Sequence, residues 1–205
     1  MATQKKSKLA QERDEGLRAL WQWLATRFDV RGLVFVDESG MHTSMERLRS
    51  RAPRGERAYG KVPRNRGKNT TLIASMSLSG MGEAMCIQGS TDAQAFEVYI
   101  EHFLAPALKE GQVVVLDKLG AHRPKRIREF IEASGAELLF LPSYSPDLNP
   151  IEEAFSKIKN ILRKLGARTH EALLKAMEEA LSKVTLGDAA GWFDHCGYQV
   201  EVQYL

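Results

Sequence analysis

The sequence predicts an α/β domain in which a mixed sheet is flanked by helices. Two short apolar runs each end in an aspartate, a hairpin pattern lies between them, and helical patterns separate the later strands. A hairpin followed by alternating α and β elements combines antiparallel and parallel strands in one sheet. At 205 residues the chain is long enough to bury a core without disulfide or metal support.

Composition excludes several protein classes. The two cysteines, Cys86 and Cys196, lie far apart in sequence, which excludes a disulfide framework and fits a reducing compartment. No apolar run approaches the roughly 20 residues that a membrane-spanning helix needs. The N-terminus also lacks the apolar core of a secretory signal. We therefore expect a soluble cytoplasmic protein with no membrane partner.

Charge is distributed unevenly along the chain. Residues 1–68 contain 16 Lys and Arg against 8 Asp and Glu, a net charge of +8, whereas residues 69–205 contain 13 against 18, a net charge of −5. A basic first third predicts a polyanionic partner. A solvated charged face would explain the asymmetry equally well.

The first part of the chain predicts a helix, a strand and a basic insertion. Residues 8–27 place Leu9, Leu17, Leu20, Trp21 and Leu24 at helical spacing. Residues 32–37 form a short apolar run that is typical of a buried strand. Residues 46–68 contain nine Lys and Arg against two Glu, with Pro and Gly between them, and predict an exposed basic insertion after the first strand.

A hairpin and a long helix come next. Residues 70–78 and 83–88 flank Ser79-Gly80-Met81-Gly82, and this pattern predicts two strands joined by a turn. Thr91 is the predicted N-cap of a helix through Leu108.

The second half predicts two further strands among four helices. The strands cover residues 113–117 and 137–141, and the helices cover residues 123–134, 150–165, a segment from Thr169 or His170 onward, and 187–195. Residues 142–150 contain too many Pro and turn-forming residues to be regular. Pro150 suits the first turn of the helix that follows.

Two apolar strands ending in an acid predict a site beyond the sheet. Asp37 and Asp117 close these strands, and in an open α/β sheet ligands bind beyond the carboxyl ends of parallel strands. Two adjacent carboxylates repel unless a cation lies between them, and hard oxygen ligands favour Mg²⁺ or Mn²⁺. Either Glu152 or Glu153 supplies a third acid at a helix start. The alternative is that each aspartate is only a helix cap or turn residue.

Three segments resemble the Tc/mariner transposase superfamily, and its bacterial insertion-sequence branch in particular. These are LVFVDES at residues 33–39, VVVLDKLGAH at residues 113–122 and LFLPSYSPDLNPIEEAFSK at residues 139–157. The block Ser-Pro-Asp-Leu-Asn-Pro-Ile-Glu at residues 145–152 is the most specific of them. The resemblance implies a ribonuclease-H-like fold, with an N-terminal helical segment over residues 1–30 and a catalytic domain over residues 31–205.

The resemblance also implies the site residues and the reaction. Asp37, Asp117 and Glu152 become the catalytic and metal-binding triad for two Mg²⁺ or Mn²⁺ ions, and 34 residues separate the last two acids. Two such ions activate a water or a 3′-hydroxyl for attack on a phosphodiester and stabilise the leaving oxygen. The expected function is metal-dependent cleavage and strand transfer of double-stranded DNA, at transposon ends and at the target. His122, Glu153 and Lys118 are expected around the metal ligands.

The basic insertion is the predicted DNA-binding segment, because Arg and Lys suit phosphate contact. Its expected DNA-contacting residues are Arg47, Arg49, Arg51, Arg54, Arg57, Lys61, Arg64, Arg66 and Lys68. Family members act as dimers, so the resemblance implies a homodimer. It also places the cytoplasmic protein at the bacterial nucleoid when it is bound to DNA.

Two departures from the family pattern leave alternatives open. Lys118 stands where the family has Asn, and only one helix precedes the first strand, where relatives have helix-turn-helix modules. The second departure predicts a separate N-terminal helix-turn-helix partner, a truncated copy or an isolated domain. One alternative function is therefore a catalytically silent DNA-binding or assembly remnant of a transposase. Another is a ribonuclease-H-like nuclease that acts on RNA hybrids.

Overall fold

A computed structural model describes residues 12–47, 51–61, 63–64, 67–117 and 124–200. Within these ranges the chain forms a five-stranded mixed sheet flanked by helices, which confirms the predicted ribonuclease-H-like architecture. The strands are β1 Leu33–Met41, β2 Thr70–Ser77, β3 Gly80–Gln88, β4 Val113–Leu116 and β5 Glu137–Phe140. The helices are α1 Glu15–Ala25, α2 Ala93–Tyr99, α3 Ala105–Ala107, α4 Pro124–Ala133, α5 Pro150–Leu165, α6 His170–Ser182 and α7 Leu186–His195.

The sheet has an antiparallel half and a parallel half. Its strand order is β3-β2-β1-β4-β5, with β1 antiparallel to β2, β2 antiparallel to β3, and β4 parallel to both β1 and β5. The hairpin turn is tighter than predicted, because β3 already begins at Gly80, whose φ of 97° only glycine adopts without strain. The central strand β1 therefore joins both halves of the sheet.

Each face of the sheet has its own apolar core. On one face, α1, α5, α6 and α7 pack around Phe35 of β1, which makes edge contacts with Phe193 and Tyr198. On the other face, α2 and α4 cover Val34, Val36 and Val114. Alternate residues of β1 point into the two cores, as a strand buried on both faces requires.

Helix α1 turns a different face inward from the one predicted. Leu17 and Leu20 are about half exposed at 53% and 52%, whereas Arg18, Trp21 and Ala25 are buried. The buried stripe is shifted because two side chains of α1 make hydrogen bonds to distant residues. Arg18 donates to Asp147, and Trp21 donates to Tyr198. Apolar spacing alone does not reveal those partners.

The helical segment from α2 to α3 begins one residue later than predicted and contains a π-helical turn. Asp92, rather than Thr91, caps α2, and its carboxylate accepts a hydrogen bond from the Ala95 amide. Residues 100–104 then form a π-helical turn, and Phe103 is 38% exposed. The π-helical turn changes the angular spacing of side chains, so Phe103 does not lie on the inner side, where regular helical spacing from Phe96 and Tyr99 would place it.

Some sequence predictions fall outside the described residues. These are Leu9 of the first helix, Lys118 and His122 near the second aspartate, and Arg49 and Arg66 of the basic insertion. Among the helices that the structure describes, none is long and apolar enough to span a membrane.

Candidate active site

The site forms where β1 continues past the end of its parallel neighbour. The β1–β4 pairing ends at Val36 opposite Leu116, whereas the β1–β2 pairing continues to Met41 opposite Thr70. Asp37 therefore lies within β1 rather than at its end, which corrects the sequence prediction. The register still places Asp37 beside Asp117, because each follows the last residue of the same parallel pair.

One pocket contains all three acids of the expected triad. Its volume is about 380 Å³, and its walls include Asp37 from β1, Asp117 after β4 and Glu152 from the first turn of α5. The rest of its wall is the irregular segment between β5 and α5, which contributes residues 141–146 and Asn149. The structure thus brings together carboxylates that are 34 residues or more apart in sequence.

The carboxyl group of Asp37 is strongly perturbed by its surroundings. Burial, followed by the neighbouring charge of Asp117, raises the pKa of Asp37 from 3.8 to about 8, although the Glu38 amide donates a hydrogen bond to it. The charges of Glu152 and Glu38 raise this pKa further. Such crowding of like charges is unfavourable without a cation, and it marks a functional site more often than a structural one.

Glu38 is an acid that sequence reasoning missed. Oxygens of Asp37, Glu38 and Asp117 lie within 4.8 Å of one another, and among the described residues Glu152 is outside that group although it lines the same pocket. Strand alternation assigns Glu38 to the opposite face from Asp37. Glu152 lines the pocket, whereas one carboxylate oxygen of Glu38 is buried away from solvent. Glu152 is therefore the better candidate for the third acid of the pocket, with Glu38 beside the two aspartates.

Asn149 links the irregular segment to the first aspartate. Its side chain is 3% exposed, and its Nδ2 donates a hydrogen bond of 3.0 Å to Oδ2 of Asp37. Asn149 precedes Pro150, which begins α5, and its side chain does not cap that helix. The amide is therefore available to orient Asp37, and no signal in the sequence alone distinguishes this role from an ordinary helix cap.

The irregular segment between β5 and α5 is held in place by two sets of hydrogen bonds that involve α1 and Tyr198. The guanidinium of Arg18 donates to both carboxylate oxygens of Asp147, at 3.0 and 2.6 Å. Tyr198 accepts a hydrogen bond from Trp21 at 2.9 Å and donates one to the Leu148 carbonyl at 2.8 Å. Burial acts to raise the pKa of Asp147, but the hydrogen bonds and charge of Arg18 outweigh it, and the pKa is lowered. These contacts fix the segment that carries Asn149 and leads to Glu152.

The two adjacent glutamates of α5 have different surroundings. Glu152 lines the acidic pocket, whereas Glu153 contacts the imidazole of His195 in α7. Ligand-type atoms of Glu153, His195 and Cys196 lie within 4.8 Å of one another. Glu153 lies in α5 and His195 near the end of α7, so spacing along the sequence does not reveal this group. The geometry favours Glu152 over Glu153 as the third acid of the pocket.

The basic insertion is exposed wherever the structure describes it. Residues 51–61 contain no helix or strand, and Arg47, Arg51, Arg54, Arg57, Lys61, Arg64 and Lys68 are all exposed. Arg168 anchors the start of the segment by hydrogen bonds to the carbonyls of Thr43 and Met45 and to the carboxylate of Glu46. Arg47 lines a second pocket together with Lys159 and Arg163 of α5.

The fold and the pocket together define a class of protein, namely a ribonuclease-H-like domain with an acidic pocket at the end of its parallel strands. The sequence profile of the DDE superfamily endonucleases matches residues 32–174. This range covers more than half of the chain, and the protein belongs to that family. Comparison with curated proteins finds no match.

Solved structures with a similar fold are complexes and domains of the Mos1 transposase. The Mos1 transposase paired-end complex with left transposon end has a TM-score of 0.77 and 18% identity, covering 96% of this chain and 64% of that one. The structure of the Mos1 transposase catalytic domain and raltegravir with Mg has a TM-score of 0.67 and 15% identity, covering 93% and 92%. The chain thus spans less than two thirds of the complete transposase chain and nearly all of its catalytic domain.

Proposed function

We propose that this chain is the catalytic domain of a transposase that cleaves DNA strands and joins them to a target in a metal-dependent reaction. The observation that carries the proposal is the pocket into which Asp37, Asp117 and Glu152 converge. Membership of the DDE superfamily endonucleases supports a phosphodiester substrate. The similarity to Mos1 transposase structures, some of which contain transposon-end DNA, supports DNA as the partner.

The side chains of the pocket fit a divalent metal centre. Carboxylate oxygens are the ligands that Mg²⁺ and Mn²⁺ prefer, and a buried carboxylate beside other acids, such as Asp37, needs a cation to remain ionised. The raised pKa of Asp37 is the signature of that requirement. Mos1 transposase structures have been solved with Mg and with Mn. We therefore propose that Asp37, Asp117 and Glu152 hold two Mg²⁺ or Mn²⁺ ions.

The proposed reaction is in-line displacement at phosphorus. When bound, the two ions activate the attacking water or 3′-hydroxyl and stabilise the leaving oxygen. The chain's own contribution is to position the three carboxylates: Asp37 lies within β1, Asp117 directly follows β4, and Glu152 lies in the first turn of α5. Hydrolysis of a transposon end and transfer of that end to a target can then use the same pocket.

One face of α5 provides a path for DNA toward this pocket. Lys159 follows Glu152 by 7 residues, or about two helical turns, and Arg163 follows Glu152 by 11 residues, or about three turns. They therefore share a helix face that leads from the acidic pocket to the pocket of Arg47. A strand whose scissile phosphate lies at Glu152 would pass these cations, and the exposed basic insertion would extend the contact. Lys157 does not contribute, because it forms an ion pair with Asp188.

Removing three cations from the insertion is expected to weaken DNA binding in a salt-dependent manner. Arg51, Arg54 and Arg57 are exposed, and each phosphate contact contributes about 0.9 to the slope of log K against log salt. The triple alanine variant should show a slope shallower by up to about 3 in fluorescence anisotropy. The same charge change at Lys109, Lys175 and Lys183, which are also exposed, is the control. Equal slopes in both triple variants would contradict a role of the insertion in DNA binding.

Asn149 is expected to influence metal affinity through Asp37. Asn149→Leu retains the branched shape of the side chain but removes the hydrogen bond to Asp37, so the carboxylate loses its orientation. Loss of a partner that orients a metal ligand costs about 10- to 100-fold in affinity. Titration of Mn²⁺ by electron paramagnetic resonance should therefore give a dissociation constant at least about tenfold higher than wild type. The control is Asn160→Leu, the same substitution at an exposed position of α5, which should bind Mn²⁺ like the wild type. Unchanged affinity in Asn149→Leu would exclude this role.

We also propose that the chain belongs to the bacterial insertion-sequence branch of the Tc/mariner superfamily, which its motifs at residues 33–39, 113–122 and 139–157 resemble. We propose residues 1–30 as an N-terminal helical segment and residues 31–205 as the catalytic domain. The working form would be a homodimer on paired ends, aided by a separate helix-turn-helix module, in the cytoplasm and at the nucleoid. We propose that Lys118 and His122 lie around the metal ligands. Glu153, which was expected there too, contacts His195 instead.

A strand-cleavage assay distinguishes this proposal from its alternatives. The purified chain is incubated with supercoiled plasmid and Mn²⁺, with a parallel sample in excess chelator, and with a matched RNA–DNA hybrid. Metal-dependent nicking of the plasmid is the expected result. Selective cleavage of the hybrid would favour a nuclease acting on RNA hybrids. A chain that binds DNA but neither binds Mn²⁺ nor cleaves would be a silent remnant.

A further inference from the structure

Tyr144 is a bulky residue in an unfavourable backbone conformation at the edge of the acidic pocket. Its φ is 56°, and among the described residues it is the one non-glycine with positive φ. The left-handed region is disfavoured for a residue with a bulky side chain, and such conformations concentrate at functional sites. Glycine would occupy this position without strain. The backbone conformation of the loop therefore does not explain why this residue is a tyrosine.

Contacts of the Tyr144 ring within the described residues do not explain the tyrosine either. The side chain is 57% exposed, and within the described residues no hydrogen bond or aromatic contact holds it. The backbone nevertheless directs it to the pocket, which it lines together with Pro142 and Pro146. An exposed aromatic ring on a firmly held segment offers a flat surface with little conformational entropy to lose on binding.

The pocket has two chemically different walls. One consists of the carboxylates Asp37, Asp117 and Glu152. The other consists of uncharged residues of the segment between β5 and α5, in which Tyr144 lies between Pro142 and Pro146. A nucleotide has the same division, because its phosphate needs cations whereas its base has an apolar face that stacks on aromatic rings. With metal ions on the acidic wall, the phosphate and the base of one nucleotide fit the two walls at once.

We propose that Tyr144 forms a stacking platform for the base of an unpaired nucleotide next to the scissile phosphate. The inference rests on the proposed function, since it presumes a phosphodiester at the acidic wall, and it adds a subsite that recognises a base through its face. A π-face is common to all bases, so this subsite selects an unpaired base without reading its sequence. A duplex must therefore open at its end before that base reaches Tyr144.

The test compares two DNA probes and several variants. The probes are a fluorescein-labelled duplex ending in one unpaired nucleotide and the same duplex with an abasic site at that nucleotide, both with Ca²⁺ in place of Mn²⁺ to prevent cleavage. Wild type should bind the first about tenfold more tightly than the second, within the range for one stacked base. Tyr144→Ala should bind both equally, and Tyr144→Phe should discriminate like wild type. Trp23→Ala, at an aromatic side chain of α1 that is 54% exposed and is not among the residues that line the acidic pocket, is the control and should also discriminate.

Stability measurements separate a stacking role from a structural one. Tyr144→Ala should melt close to the wild-type temperature, and Tyr144→Gly should melt above Tyr144→Ala because glycine relieves the backbone conformation. A large fall in melting temperature for Tyr144→Ala would show that the ring holds the loop, and would overturn the proposal. Equal discrimination by wild type and Tyr144→Ala would overturn it as well, while Mn²⁺-dependent nicking by the wild type would leave the proposed function standing. Absence of both binding and nicking in the wild type would overturn the two together.

Discussion

Glu152→Gln is expected to lower the rate of Mn²⁺-dependent DNA nicking by at least about a thousandfold, because a neutral amide replaces a ligand of the proposed metal centre. Glu153→Gln, the same change one residue further along α5, should retain the rate to within about threefold. The contrast follows from geometry, since Glu152 lines the acidic pocket and Glu153 contacts His195. The measurement is the initial rate of conversion of supercoiled to open-circular plasmid.

The two aspartates provide the companion variants. Asp37→Asn and Asp117→Asn should lose activity to the same extent as Glu152→Gln, since residues that act as a unit do not contribute additively. Circular dichroism confirms that each variant is folded. A large loss in Glu153→Gln together with a small loss in Glu152→Gln would show that the third acid was assigned to the wrong residue. Small losses in all three would place the chemistry elsewhere.

The stability of the metal-free protein is expected to fall as the pH rises from about 4 to 8. The pKa of Asp37 is raised from 3.8 to about 8 in the folded chain, first by burial and then by Asp117. Between these values the folded state binds one proton more than the unfolded state, so this contribution to stability is complete below pH 3.8 and is lost as the pH approaches 8. Each unit of pKa shift corresponds to about 1.4 kcal/mol, which sets an upper limit of about 6 kcal/mol for the loss.

Urea unfolding of the wild type and Asp37→Asn in chelator at pH 5 and pH 9 measures this effect. The variant should gain about 2 to 4 kcal/mol of unfolding free energy relative to wild type between the two pH values, since it carries no charge at this position. Asp29→Asn is the control: Asp29 is exposed, and its hydrogen bonds with Arg31 lower its pKa, so that variant should follow the wild type over this range. Added Mn²⁺ should stabilise the wild type at pH 9 but not Asp37→Asn. Parallel profiles of wild type and Asp37→Asn would exclude a raised pKa at Asp37.

The parallel half of the sheet could be predicted from the sequence because its strands are buried on both faces. Such strands appear as continuous apolar runs, and those of β1, β4 and β5 place Asp37 and Asp117 next to each other in the correct register. The rigid Pro-rich segment before α5 likewise predicted a glutamate opposite them. Turn residues and apolar periodicity are local signals, and they were sufficient for these elements.

What the sequence did not reveal depends on partners distant along the chain. Arg18 is buried because Asp147 accepts its hydrogen bonds, and Asn149 is directed at Asp37 across 112 residues. The position of Asp37 within β1 was also missed, since the length of β1 is determined by its antiparallel partner β2 as well as by its own residues. Pairwise contacts of this kind leave no periodicity in a single sequence. They are visible only once the strands are paired and the irregular segment is in place.

Anomalous diffraction from crystals soaked in Mn²⁺ would show directly whether Asp37, Asp117 and Glu152 hold two metal ions. We expect two peaks about 3.5 to 4 Å apart between these three carboxylates. Peaks confined to Glu153, His195 and Cys196, or no peak in the acidic pocket at saturating Mn²⁺, would contradict it.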